Sequence, residues 1–375
     1  MRRPALHASC VAAAAAVLVL AGCGPKEPPR AGSIDVAAAL RGGDTAGYAR
    51  ATAPRTFSFP EDDGPHPEFR TEWWYYTGNL DGEHGERFGF QLTFFRNAVA
   101  PSMEPRTSQW ATRQVYMAHF ALTDAGARRF HDTERFARAA AGLAGADSAP
   151  FHVWVENWDV HGTAPFRLHA DDGAAVLDLT LEPGKPPVLQ GDRGLSQKGP
   201  EPGNASYYYS RTRMPASGTV TSAGRTFEVS GSAWMDREWS TSALGPDLAG
   251  WDWFALQLAD GRDLMVYRLR RKDGTADRFS HGTLVAPDGT SRGLTPAEFT
   301  LEPQGGWISP RSGARYPAAW RVRVPADGLD LTVTPVLADQ ELSASVVYWE
   351  GAVDVTGSAN GRGYLEMTGY PPLDR

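Results

Sequence analysis

From residue 55 onward the chain alternates between apolar and polar positions with a period of two, and this pattern limits its fold more than any other feature. Phe88, Phe90, Leu92 and Phe94 fall on one side of a run, and Val115, Met117 and Ala121 on one side of the next. Leu177, Leu179 and Leu181 then alternate with Asp178 and Thr180. Successive strand residues point to opposite faces, so these runs call for antiparallel sheets with one buried face. Between them lie "NLDGEHGE", "HADDGAA", "ADGR", "KDGT" and "PDGTS", which supply the Gly, Asp and Asn of tight hairpins. At least a dozen strands follow, an all-β chain with few short helices. Helical spacing is confined to residues 132–145, "DTERFARAAAGLAG", where Asp132 is a cap and Phe136, Ala139 and Ala140 share a side. A short loop helix is expected there.

A single core stops growing near about 250 residues, and the chain has 375. Two antiparallel barrel or sandwich domains packed together are therefore expected, over residues 55–245 and 246–375. An echo between "EWWYYTGNL" and "GYLEMTGYP" fits two related units.

Ahead of them, Arg2 and Arg3 precede an apolar run over residues 11–20, too short to span a bilayer. The run ends in Leu20-Ala21-Gly22-Cys23, which resembles the bacterial lipobox. That resemblance implies a signal peptide of residues 1–22, a lipid on Cys23 and an envelope protein held on the periplasmic side of the inner or outer membrane. Residues 23–54, rich in Pro, Gly and Ala with one amphipathic piece at 34–40, read as a flexible tether. Cys10 would leave with the signal, so no disulfide is expected.

The formal charge is 37 − 44 = −7 with no basic run, so nucleic acid is not an expected partner. His152, His161 and His169 match no metal-ligand spacing, so no metal and no cofactor is predicted. There is no G-x-S-x-G, and "GLSQKG" around Ser196 lacks an elbow signature.

What remains is a set of charged residues held among aromatics. In "TEWWYYTG", Glu72, Trp74 and Tyr76 share one face; either core packing or a ligand wall explains it. His119 lies on the inward face of "VYMAHFAL", as a hydrogen-bonded core histidine or a catalytic one. In "NASYYYSRTR", Tyr207 and Tyr209 share a face with Arg211 and Arg213. "SAWMDREWS" sets Trp234, Asp236 and Glu238 against Met235, Arg237 and Trp239, and Trp251, Trp253 and Tyr267 repeat the theme downstream. Buried charges cost several kcal/mol unless paired. Asp236 and Glu238 must therefore meet arginines such as Arg211, Arg213 or Arg268, or one of them stays protonated. A protonated carboxyl facing an aromatic cavity is the group needed to protonate an isolated C=C bond. The expected ligand wall is Trp74, Tyr76, His119, Tyr209, Arg211, Arg237, Trp239, Trp251, Trp253 and Tyr267, with Asp236, Glu238 and Glu72 as candidate acids.

Together "TEWWYYTGNL", "AHFAL", "SGSAWMDREWSTS", "GWDWFALQLADG", "RYPAAWRVRVP" and "YWEGAVDVTGSANGRGYLEMTGY" resemble the lipocalin-like AttH and carotenoid 1,2-hydratase family. The resemblance implies two lipocalin-like β domains around an apolar cavity for a long hydrophobic molecule. It also implies two candidate activities: holding an isoprenoid, polyene or lipid, or cofactor-free addition of water to, or isomerisation of, a C=C bond. Asp236 and Trp239 match the hydratase strand, whereas Arg237 replaces a histidine, Met235 and Glu238 also depart, and Leu269 stands where the hydratases keep an aspartate.

Overall fold

The computed structural model describes residues 45–104, 107–241 and 244–372. The signal segment, Cys10, Cys23 and the amphipathic piece at 34–40 lie outside the described residues. The end of the expected tether does not: Ala51 is fully buried, Ala49 N–H donates to Glu68 O at 2.9 Å, and Tyr207 donates to Ala53 O at 2.9 Å. Residues 45–54 are thus part of the folded body, because alanines there fill a small aromatic cluster with Phe69, Tyr207 and Trp239.

Two large antiparallel sheets dominate the fold, beside a two-stranded ribbon of Trp307–Ile308 and Arg315–Tyr316. In the first, thirteen-stranded sheet, Arg129–Arg138, Gln114–Asp124, Arg87–Ala98 and Thr71–Gly82 run in order to the long hairpin Arg225–Ser240 and Ala205–Ser222. Five shorter strands continue on its far side, ending at Ala144–Ser148. The sheet curls until its two wings meet, with Phe120 of one wing edge-on to Trp158 of the other at 5.8 Å. Phe88, Phe90, Leu92 and Phe94 all point into the enclosed core, as their alternation requires. A second sheet of ten strands, from Leu248–Leu258 to Gly361–Met367, curls around Phe254, Trp320 and Trp349.

The expected helix at 132–145 is absent. Residues 129–138 pair with the strand Gln114–Asp124 in continuous antiparallel register, followed by a turn into Ala144–Ser148. Ladder hydrogen bonds and the neighbouring strand override a weak helical spacing. Among the described residues the helical elements are two single 3₁₀ turns, Glu61–Asp63 and Pro325–Asp327.

Both curled interiors are filled by side chains, and the sheets face each other through a third apolar layer. Tyr75, Tyr208 and Trp234 from the first sheet meet Trp253, Met265, Tyr267 and Tyr364 from the second. The sheets approach closely at Gly89, where a Cβ would lie 2.6 Å from the Ala352 Cβ. In strands such as Thr71–Gly82 and Arg225–Ser240 the alternation thus serves two interiors: one face fills the curl and the other builds the layer between the sheets.

Candidate functional site

A cavity of about 400 Å³ lies in that layer, lined by both sheets, a size usual for small-molecule sites. From the first sheet it receives Trp73, Tyr75, His119, Tyr208, Asp236 and Glu238. The second supplies Trp251, Trp253, Tyr267, Tyr348, Glu350 and Glu366. Trp73 and Tyr75 point here because Trp74 and Tyr76, one residue out of phase, fill the first core.

Asp236 is the best-defined polar group of the wall. Its carboxyl accepts hydrogen bonds from Tyr208 Oη at 2.7 Å, Ser210 Oγ at 2.5 Å and Trp234 Nε1 at 2.8 Å. None of the arginines expected as its partners reaches it. Arg211 pairs with Asp63, Arg213 with Asp263 and Arg268 with Asp252. Burial pushes the Asp236 pKa up to about 7, against the pull of its three donors and with added repulsion from Glu238. Near neutrality it is poised between acid and carboxylate.

Two further acids face it from the second sheet. Glu350 and Glu366 sit directly opposite each other on adjacent strands. Burial and mutual repulsion push Glu350 well above the carboxylate range. Burial likewise raises Glu366, opposed by Trp251 and reinforced by Asp236 and Glu238. Like charges in direct cross-strand register cannot both ionise cheaply in such a setting. Glu238 has a cation: Lys198 Nζ is 3.4 Å from its Oε1 and sits over the Tyr267 ring at 4.3 Å. Burial presses the Lys198 ammonium down, but Glu238 and Tyr267 together raise it, so it stays charged.

His119 is tied to both sheets. Its Nε2 lies 2.9 Å from Glu134 Oε1 and its Nδ1 2.7 Å from the Tyr348 hydroxyl. Donation from Nε2–H to the carboxylate leaves Nδ1 to accept from Tyr348, so the histidine orients a wall tyrosine.

The structure brings together Asp236, Glu238, His119, Trp251, Trp253 and Tyr267 of the residues expected at the site. Of the others, Glu72 reaches the cavity edge and the rest lie elsewhere. Glu72 is fully buried beneath the wall, bridging Arg96 and Arg237, the latter at 2.6 Å. Burial would raise its pKa, but the two guanidiniums hold it far below the carboxylate range, so it cannot act as an acid. Arg237 stacks on Trp74 at 3.9 Å and also donates to the carbonyls of Gly64 and Trp73. Trp239 stacks on His66 with ring centres 3.7 Å apart. Tyr209 and Arg211 both bond Asp63, Trp74 donates to Asp63 O, and Tyr76 lies in the first core. Trp74, Tyr76, Tyr209, Arg211, Arg237 and Trp239 line no part of the cavity, since each falls on the strand face turned away from the second sheet. A bulge between Arg211 and Met214 also breaks the expected sharing of a face, so Arg213 reaches the second sheet while Arg211 does not.

Sequence reasoning missed Tyr208, Lys198, Tyr348, Glu350 and Glu366. For Tyr208 the signal was present, since alternation through "YYY" puts the middle ring opposite Tyr207 and Tyr209. For Glu350 it was the lone acid in the apolar run "VVYWEGAV".

The family model for AttH-like proteins matches residues 50–370. The chain belongs to the AttH-like family. A crystal structure assigned as an AttH from Nitrosomonas europaea is 38% identical to this AttH-like chain, with a TM-score of 0.78, covering 86% of it and 99% of the other. Kievitone hydratase from Nectria haematococca is 16% identical with a TM-score of 0.65, over 88% of this chain and 97% of that one. CghA, crystallised with Sch210972, is 15% identical with a TM-score of 0.52, over 88% and 98%. At such identities these two share the fold. No curated protein matches the chain. Of the two positions matched to the hydratase strand, Asp236 lines the cavity of this AttH-like protein and Trp239 does not. The histidine-to-arginine replacement at 237 falls on the face away from the cavity.

Proposed function

We propose that the cavity is a cofactor-independent acid site that adds water to, or isomerises, a C=C bond of an apolar isoprenoid or polyene. The observation that carries the reading is Asp236, a buried carboxyl with no cationic partner, held by three donors against aromatic walls. In the forward step the carboxyl O–H bond breaks and a C–H bond forms at one alkene carbon, leaving a carbocation at the other. A water oxygen then bonds that carbon and its proton returns to a wall carboxylate, for which Glu238 and Asp236 are placed. The sum is one alkene plus one water. Loss of a different proton from the cation would give the isomer instead. Indole and phenol faces of Trp251, Trp253 and Tyr208 suit a transient cation. The hydratase activity in the name of the Nectria relative agrees with this chemistry.

Binding alone is the part of the reading that needs only the aromatic walls, and a chain that bound without turnover would be a carrier of hydrophobic molecules. Either role fits a lipid-anchored envelope protein, with Cys23 as the acylated residue. One preparation tests both levels. Full-length protein should be found in the membrane fraction and Cys23→Ser in the soluble fraction. The soluble form, incubated with acyclic isoprenoid polyenes, should convert one of them to a product heavier by one water or isomeric with it. A soluble full-length chain would remove the anchor, and bound but unchanged polyene would leave the carrier role.

A further inference from the structure

We infer that the cavity is built to hold a positive charge on a hydrocarbon frame and will take a lipophilic ammonium ion in preference to a neutral molecule of the same shape. The inference deepens the acid-site reading, since such an ion resembles the cation formed on protonating an alkene, but its test does not require turnover.

The charge balance of the wall comes first. Of the five carboxyl groups on the wall, Glu72 is matched by Arg96 and Arg237, while Asp236, Glu238, Glu350 and Glu366 face one ammonium, Lys198, which is committed to Glu238. The guanidinium of Arg96 approaches the same cavity but is bound to Glu72, Gln114 and the carbonyls of His66 and Phe69. Asp236, Glu350 and Glu366 therefore have no cationic partner among the described residues.

A second observation points to an occupant. Glu350 Oε1 and the Tyr75 hydroxyl are buried at the cavity wall, near enough to each other to interact but without a well-aligned hydrogen bond to each other or to any other described side chain. Leaving a buried polar atom poorly paired is costly, and a donor arriving with a ligand would remove that cost at Glu350. An ammonium N–H supplies this donor, and its alkyl groups would rest against the electron-rich faces of Trp73, Trp251 and Trp253. A neutral hydrocarbon leaves Glu350 Oε1 as it is.

Charge brought into the cavity must also move protons. The ionisable groups around the three acids are Glu238, Lys198 and the phenols of Tyr75, Tyr208, Tyr348 and Tyr364. His119 and Glu134 stand behind Tyr348, and Tyr267 beside Lys198. Burial holds each of these four phenols, Tyr75, Tyr208, Tyr348 and Tyr364, above its ordinary range. The proton displaced by a bound cation therefore leaves from a carboxyl group.

The test uses soluble Cys23→Ser protein with N,N-dimethylgeranylamine and its neutral analogue in which carbon replaces nitrogen. Calorimetry at pH 6.5 in two buffers of different ionisation heat reads affinity and proton exchange together. The ammonium ion should bind about tenfold or more tighter than the neutral analogue, with release of up to about one proton. Glu350→Gln, which mimics the protonated acid in shape, should have an unfolding midpoint no lower than wild type and lose most of that preference. Equal or weaker binding of the ammonium ion, binding without proton release, or a preference that persists in both Glu350→Gln and Asp236→Asn would overturn the inference. Tight ammonium binding with no polyene turned over would uphold it and sink the hydratase reading. The converse result would do the reverse.

Discussion

Asp236→Asn is expected to lower turnover by about 10³-fold, the usual contribution of a positioned general acid, while leaving polyene affinity within about twofold. The variant keeps the local structure because an Asn oxygen can accept from Ser210 Oγ and Trp234 Nε1. The Tyr208 hydroxyl, now without an acceptor, can accept from the amide. In the wild type the Asp236 pKa is raised in the fold to about 7. The acid form is thus lost as pH rises through that value, and turnover should fall on the alkaline side. The same titration acts on stability. The native state keeps a proton that the unfolded chain gives up near pH 4, so stability falls between about pH 4 and 7 and is then level with respect to this group. The Asn variant does not pay this penalty and should be more stable than wild type at pH 8, by roughly 2–4 kcal/mol, with little difference at pH 4. Unchanged turnover in the variant, measured by product mass, would remove Asp236 from the mechanism.

The largest expected effect on stability lies on the other face of the same strands. Glu72→Ala should destabilise the fold by about 3–5 kcal/mol, read by urea unfolding at pH 7. The deletion strands two guanidiniums: the side chains of Arg96 and Arg237 are 1% and 0% exposed. Carbonyl oxygens of His66, Phe69, Gly64 and Trp73 would still accept from them, but no anion would remain at the junction. Glu72 is depressed in the fold, so its stabilisation is present above the unfolded carboxylate pKa near 4.5 and is lost as pH falls below it. The wild type should therefore lose more stability on acidification than the variant. A loss under about 1 kcal/mol would show that the ion pairs are dispensable.

The contrast between these two substitutions explains what was legible in the sequence. Alternation gave the faces correctly: Trp234, Asp236 and Glu238 lie on one side and Met235, Arg237 and Trp239 on the other. It could not say which face meets the second sheet, because both are buried and a strand with two interiors has no polar side to mark solvent. Charge among aromatics was therefore read as a site on both faces: Arg237 was assigned to a ligand wall it does not form, and Glu72 to an acid role that its two guanidinium partners prevent. Pairing decides the matter, and pairing is long-range: Arg237 lies beside Trp74 and Asp236 beside Tyr75 only in the folded register. Glu350 and Glu366 were out of reach for the same reason, being brought to Asp236 by sheet packing across more than a hundred residues. The two-sheet architecture itself was readable, since period-two runs and turn residues are local signals. The expected helix at 132–145 failed where a local spacing was outweighed by a partner strand.

The central claim, a cavity carboxyl that still holds its proton near neutrality, is tested most directly by carbon NMR of protein labelled at the aspartate carboxyl, with Asp236 assigned by its loss in Asp236→Asn. A titration midpoint near 7 is the predicted result. A midpoint in the ordinary aspartate range, around 4, would mean that Asp236 is a plain carboxylate at neutral pH and would contradict the acid site.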